Sequence, residues 1–579
     1  LSEPGLEALV DAAMGRMPFT MLLRRSTLIN VMTREAYPAD IGILGSRIAY
    51  VGPAGESSLR GRAELDLHGK HVAPGLIDTH LHVESSMLTP PRFAEAVVPH
   101  GTTTAAIDPH EIANVLGMEG VVMMLESSEG LPIRIHLLAP TCVPSLPGFE
   151  TTGGRLEAPD VEEMLAWPRT IGLGEVMDYQ GLIRLASRTV GVVKAGLSRN
   201  AVIDGHAPGL TGRGLTAYVA GGVEADHEFA ISEQVLERLR LGMFVKLRRA
   251  AVTEEVVQGL RSLDDRRNVL FVTDDVMPDD LVKSGHLDSV VRAAIETGYD
   301  PLEAIQAVTV DAARHLRLYD RGLIAPGKLA DLVILSSLEG FHIGAVIQDG
   351  RVVARDGALI GSWSTRPFPA RALDTLRLEP PSAEHFLIKA PLDSGRVRAR
   401  VIVAEGFETH FVEKDVAVED GVVQPDGRAA IMVFDRYTGR RGAAQGFVVG
   451  LGLTRGAVAA TVLHDSHNLV VVGMSPSDME VAAKAVIKAH GGLAAADTGR
   501  LRATVPLPVA GLMSEEKPEN LLPQVEAFKR AQRLLGMRAL PLGGWLGISF
   551  LALPVIPHAR ITDKGLFDVD EHRIVPLFP

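Results

Sequence analysis

Between residues 73 and 320 the chain repeats one texture: a short apolar run ends in a polar or turn residue, and a helix-length segment of mixed polarity follows. Strands covered on both faces read as continuous apolar runs, so the alternation predicts β–α units around a parallel sheet. Strands are expected at 133–139 (IRIHLLA), 171–175 (IGLGE), 201–206 (AVIDGH) and 269–274 (VLFVTD). The stretch is the size of an eight-stranded β/α barrel, about 250 residues.

The flanks differ. Residues 20–72 hold β-like runs (TLINVMT, ADIGILG, RIAYVGP) broken by Gly and Pro, which predicts a small antiparallel unit. Residues 321–360 return to short strands that can pair with it. The expected fold class is therefore α/β. It comprises a (β/α)8 TIM barrel over 73–320, a flanking composite β-sandwich-like domain from 1–72 and 321–365, and an additional C-terminal α/β domain over 366–579. The Pro-, Ser- and Arg-containing stretch 361–383 reads as a linker. In the last unit Ser477 and Glu480 have capping-box spacing, Met479, Ala482, Ala483 and Val486 share one helical face, and Gly491 follows the end.

Composition narrows the function. A chain of 579 residues exceeds one core, and 58 basic against 71 acidic residues give a net charge of −13. That balance argues against a nucleic-acid or anionic-membrane binder. No long uninterrupted apolar run is present, so no membrane span is expected. The first fifteen residues, LSEPGLEALVDAAMG, lack the positive region of a secretory signal, and a cytoplasmic location is the default expectation. The single cysteine, Cys142, removes disulfide frameworks, cysteine zinc ribbons and iron–sulfur clusters. Metal sites are then expected to use His and carboxylate.

The residues that carry chemistry stand where apolar runs stop. His80 and His82 in PGLIDTHLHVESS alternate along a strand, so both imidazoles face one side, roughly 6–7 Å apart. Glu175 (GLGEVMD), His206 (IDGHAPG), His227 (EADHE) and Asp274 (FVTDD) follow at intervals consistent with successive strand ends. Each has a plainer reading alone: His206 as a turn histidine, His227 as a charged loop, Asp274 as a helix N-cap. Six such accidents in barrel order are the poorer account, because strand C-termini of a barrel converge on one mouth. Four imidazoles and two carboxylates suit two divalent cations with a bridging carboxylate. Such a pair favours hydrolysis, with Asp274 as the group that accepts a proton from water and passes it on.

The HxH after PGLID, this order of His and carboxylate residues and the closing GKLADLVIL resemble the amidohydrolase superfamily. The chain is more specifically similar to bacterial adenine deaminases over nearly its whole length. The similarity is carried by HLHVESSMLTP, GTTT with DPHEIANVLG, GLGEVMD, DGHAPGL, ADHE, TDD with PDDL, HDSHN and LPVAGLMS. Many superfamily members bridge their metals with a carbamylated lysine; Glu175 stands at that position here, as in the adenine deaminase branch. Val276-Met277 follow TDD where that branch leads one to expect a more basic pair.

The resemblance implies purine salvage chemistry: adenine, a small-molecule purine, goes to hypoxanthine and ammonia at two divalent ions, manganese or iron before zinc, that activate a hydroxide. Asp274 would shuttle a proton to the departing amine, and Glu84, Glu111 and His110 are the candidates for protonating ring N1, with Glu84 assigned the catalytic role. Asp108, His110 and Glu111 are candidates for orienting ligands or binding substrate. His464, Asp465 and His467, outside the barrel in sequence, would bind the purine edge if the C-terminal unit closes over its own barrel mouth or reaches that of a partner subunit, and are otherwise a polar loop before strand NLVVVG. A homo-oligomer, a dimer, is expected. The rival readings are another amidohydrolase reaction, such as cyclic amide hydrolysis or deacetylation, and a non-catalytic barrel scaffold.

Overall fold

The computed structural model describes residues 3–229, 231–405, 408–439, 442–538 and 545–579. Among them, the apolar runs of the central stretch form eight parallel strands: Leu76–Leu81, Thr102–Ile107, Arg134–Ala139, Thr170–Val176, Val202–Gly205, Ala225–Asp226, Phe244–Leu247 and Val269–Phe271. The first five pair in sequence order into one sheet and the last three into another. Glu224 N–H donates to Ile203 O at 2.9 Å, and Asp274 N–H donates to His80 O at 3.1 Å. These two bonds join the sheets at both seams and close the strands on themselves, the arrangement of a (β/α)8 barrel.

Helices pack their apolar faces outside the strands. In Glu254–Arg261 the Thr253 hydroxyl accepts from Val256 N at the start, while Val256, Val257 and Leu260 turn inward together. Full burial of such side chains stabilises by roughly 1.5–3 kcal/mol each.

The flanking sheet draws on two distant pieces of chain. Leu332–Ser337 pairs antiparallel with His71–Pro74, Leu332 opposite Pro74, immediately before the first barrel strand. The sheet is mixed and not antiparallel as its sequence suggested: Phe19–Asn30 pairs antiparallel with Glu35–Leu44 but parallel with both Gly61–Asp66 and His71–Pro74. Alternating runs fix which face a strand buries but leave the direction of its neighbour open.

The C-terminal unit is built on a nine-stranded sheet. Alternation along its strands sends Val458, Ala460, Val470 and Val472 toward Phe528 of helix Pro518–Leu534. Ala457, Ala459, Leu469 and Val471 face Met479, Ala482, Ala483 and Val486 of helix Pro476–Lys488. That helix is capped by Ser475, whose hydroxyl accepts from Asp478 N at 3.2 Å, and not by Ser477. Pro476 takes the first helical position, which moves the start two residues upstream, and Glu480 instead accepts from Ala383 N at 3.0 Å. Gly491 follows with φ 121°, and a Cβ there would lie 2.3 Å from Gly511 Cα.

Lys529 ties the helix Pro518–Leu534 to barrel residue Asp279 at 2.7 Å. Residues 361–383 carry little regular structure, yet Phe368 and Ala372 are buried and Ala510 N donates to Ala372 O at 2.7 Å. No helix among the described residues is long and apolar enough to cross a membrane.

Candidate active site

Each proposed ligand stands at or just beyond the C-terminal end of a barrel strand, and the barrel brings all six together. His80 Nε2 lies 3.7 Å from Glu175 Oε2 and 3.4 Å from Asp274 Oδ1, and His82 Nε2 lies 3.3 Å from Asp274 Oδ1. On the far side Glu175 Oε2 is 3.0 Å from His206 Nδ1 and 3.2 Å from His227 Nε2. Glu175 thus stands between two groups of imidazoles, with Oε1 toward His82 at 3.9 Å. Asp274 takes φ 56°, a left-handed conformation that Asp tolerates better than most residues, and this turns its carboxylate inward.

A second layer fixes these groups. His82 Nδ1 lies 2.9 Å from Asp108 O, which leaves Nε2 facing the cluster. Asp108 Oδ2 accepts from Glu175 N at 2.9 Å, an approach open because residue 174 is glycine: a Cβ there would lie 2.1 Å from that oxygen. Three partners were not legible in the sequence. Asp204 faces His80 Nδ1 at 3.0 Å and accepts from the buried Lys246 at 2.6 Å. Arg248 Nη1 lies 2.8 Å from both Glu228 Oε1 and Asp274 Oδ2. A lone lysine inside the apolar strand Phe244–Leu247, and Asp204 two positions before His206, were the available signals.

Protonation follows from burial and charge. Burial would lower the His80 imidazole, but Asp204 and then Asp274 hold it up at about 9. His206 is likewise held at about 9, burial being outweighed by Glu175 and Glu228. Burial disfavours the charged carboxylate of Glu175, yet His206 and His227 keep it well below the usual range; His227, His80 and His82 do the same for Asp274.

A cavity of about 850 Å³ opens over this cluster, large enough for a small aromatic substrate. Its wall includes His110, Glu111, His464 and Asp465, so residues of the C-terminal unit reach the barrel mouth. His464 Nδ1 lies 2.7 Å from Glu111 Oε1, and His467 Nε2 contacts Glu111 Oε2. His464 stacks on Phe550 with ring centroids 5.0 Å apart. Glu84, Asp108 and His467 are buried behind the wall and not in it; Glu84 Oε1 accepts from Ile112 N at 3.2 Å. Burial, and then Glu111, push the Glu84 carboxyl up to about 7.

The donor set tests well against divalent cations. It offers only imidazole nitrogen and carboxylate oxygen, it is buried, and His80 Nε2 has no hydrogen-bond partner while facing Glu175 and Asp274. Together with the barrel, it defines a metal-dependent hydrolase of the amidohydrolase class, and residues 71–353 match the Amidohydrolase family.

Residues 407–573 match the adenine deaminase C-terminal domain. Adenine deaminase 2 of Carboxydothermus hydrogenoformans is 39% identical over 99% of this chain and 99% of its own. The adenine deaminase of Moorella thermoacetica is 38% identical over 98% of this chain and 97% of its own. The chain belongs to the adenine deaminase family. Among solved structures, the beta-aspartyl dipeptidase of Fervidobacterium islandicum AW-1 is 17% identical, with a TM-score of 0.45 over 60% of this chain and 99% of that one.

Proposed function

We propose that this chain hydrolyses adenine to hypoxanthine and ammonia. The reading is carried by one juxtaposition: the barrel's donor set and the HDSHN loop of the C-terminal unit share a single cavity. His80, His82, Glu175 and Asp274 would hold one divalent cation and Glu175, His206 and His227 the other; the donors suit zinc, manganese or iron, and the resemblance to adenine deaminases implies manganese or iron before zinc. When bound, such a pair makes hydroxide available near neutral pH and polarises the group attacked.

The chain's own residues do the rest. Asp274 accepts the proton of the attacking water and delivers it to the amine leaving C6. Arg248 holds Asp274 Oδ2, so that Oδ1 stays turned toward His80 and His82. Glu84, whose carboxyl burial raises to about 7, lies behind the cavity wall, so the proton that ring N1 gains would pass from it by way of Glu111, which lines the cavity. Asp108 orients Glu175 and His82 through its carboxylate and its carbonyl. His110, Glu111, His464 and Asp465 form the polar wall against which the purine edge lies, and His467 holds Glu111 from behind.

The test is ammonia release from adenine by chelator-stripped protein reloaded with manganese, iron or zinc. Turnover restored by manganese or iron is the expected result. A fully loaded protein that leaves adenine intact overturns the reading in favour of another amidohydrolase reaction.

A further inference from the structure

We propose that His110, Cys142 and Asp465 hold a further divalent cation, separate from the proposed pair, that fastens the C-terminal unit to the barrel. One ligand atom from each of the three lies within 4.8 Å of the other two, and all three residues are buried. His110 Nε2 faces Asp465 Oδ1 at 3.8 Å and Glu111 Oε1 at 3.6 Å, and His464 Nδ1 lies 3.6 Å from Asp465 Oδ1. A thiol, two imidazoles and two carboxylates therefore surround one region. None of them is among the six ligands of the proposed pair, although His110, Glu111, His464 and Asp465 also face the cavity and His110 Nδ1 lies 3.8 Å from Glu175 Oε1.

An independent observation points the same way. Asp465 is 0% exposed, and neither carboxylate oxygen has a hydrogen-bond partner. Among the described residues no Lys or Arg reaches it; its only ion-pair neighbours are His110 and His464. A buried carboxylate needs a positive partner; here the imidazoles of His110 and His464 are the ones within reach, and a cation bound between these groups would take the place of their protons. Burial, and then Asp465, Asp108 and Glu175, also push the Cys142 thiol well up, so the same negative field that resists a bare thiolate favours a cation.

The donor chemistry selects the kind of ion. A thiolate beside imidazole and carboxylate suits a borderline-soft cation of the zinc type better than magnesium or calcium. Cys142 and His110 follow the third and second barrel strands, whereas Asp465 follows strand Ala457–Ala460 of the C-terminal unit, so the ion would cross-link the two. Such a site would add a thiolate to the His and carboxylate ligands that the sequence leads one to expect.

The experiment loads the whole chain with cobalt(II) and reads its absorption, independently of any turnover. Because the sequence contains a single cysteine, a thiolate-to-cobalt charge-transfer band can arise only at Cys142. The expected result is such a band in the near ultraviolet, with one more cobalt per chain than Cys142→Ser binds. Asp465→Asn should weaken or abolish the band. Cobalt absorption retained from the remaining sites shows that either variant is folded. Saturated wild-type protein without the band, or equal metal content in wild type and Cys142→Ser, overturns the proposal whether or not the chain deaminates adenine.

Discussion

Arg248 meets Asp274 at 2.8 Å through Oδ2, leaving Oδ1 of the same carboxylate to His80 and His82. One guanidinium therefore decides which oxygen of Asp274 points at the cluster. Replacing it by Met removes a charge-assisted hydrogen bond worth about 1.5–3 kcal/mol, so kcat for ammonia release should fall roughly 10- to 100-fold. An Arg248→Met enzyme with wild-type kcat would show that Asp274 holds its orientation without help.

The Glu84 carboxyl, raised to about 7, is expected to work in its protonated form. The sign follows: turnover should decline as pH rises through about 7, because the acid is lost. Glu84→Gln should lower kcat by about 10²- to 10⁴-fold and remove that limb of the pH–rate profile. Near-normal turnover in the variant would transfer the role to Glu111 or His110.

Lys246 and Asp204 form an ion pair with both side chains 0% exposed. Lys246→Met leaves the carboxylate buried beside His80 without its ammonium partner, and should destabilise the fold by about 3–5 kcal/mol in denaturant titration. Lys246→Met with Asp204→Leu should recover much of the loss. If the double variant is no more stable than the single one, the cost lies in packing and not in the stranded charge.

Glu150 is buried, accepting from Ser145 at 2.6 Å, and burial pushes its carboxyl up to about 8. Its folded value exceeds the ordinary 4.5, so its contribution to stability is fully present below about 4.5 and is lost as pH rises through about 8. Glu150→Gln should flatten the stability profile across that window and be the more stable protein at its upper end, as read by denaturation midpoints. Parallel profiles for the two proteins would refute the assignment.

Ser475→Ala should cost about 1 kcal/mol of stability through the lost cap, whereas Ser477→Ala should cost almost nothing. Thermal or chemical denaturation of the two variants distinguishes them.

That pair also shows where sequence reading runs out. The spacing from Ser477 to Glu480 obeys the capping rule, but Pro476 already occupies the first helical position, and only the backbone reveals that Ser475 is the residue with a free acceptor. His80, His82, Glu175, His206, His227 and Asp274 were legible because each ends an apolar run, and the barrel supplies convergence without further information. Lys246 and Asp204 lie 42 residues apart and meet across the barrel interior, so no local pattern announces them. The hold of His464 and His467 on Glu111 spans an even larger separation, and the parallel pairing of Phe19–Asn30 with Gly61–Asp66 depends on a crossover that strand texture does not encode.

Because Glu111 is gripped from outside the barrel, by His464 and His467, the pocket has two authors. A barrel expressed alone would keep the six proposed cation ligands and lose one side of the cavity above them. Changes in the appended unit can then reshape that cavity while the proposed water-activating residues beneath it stay untouched.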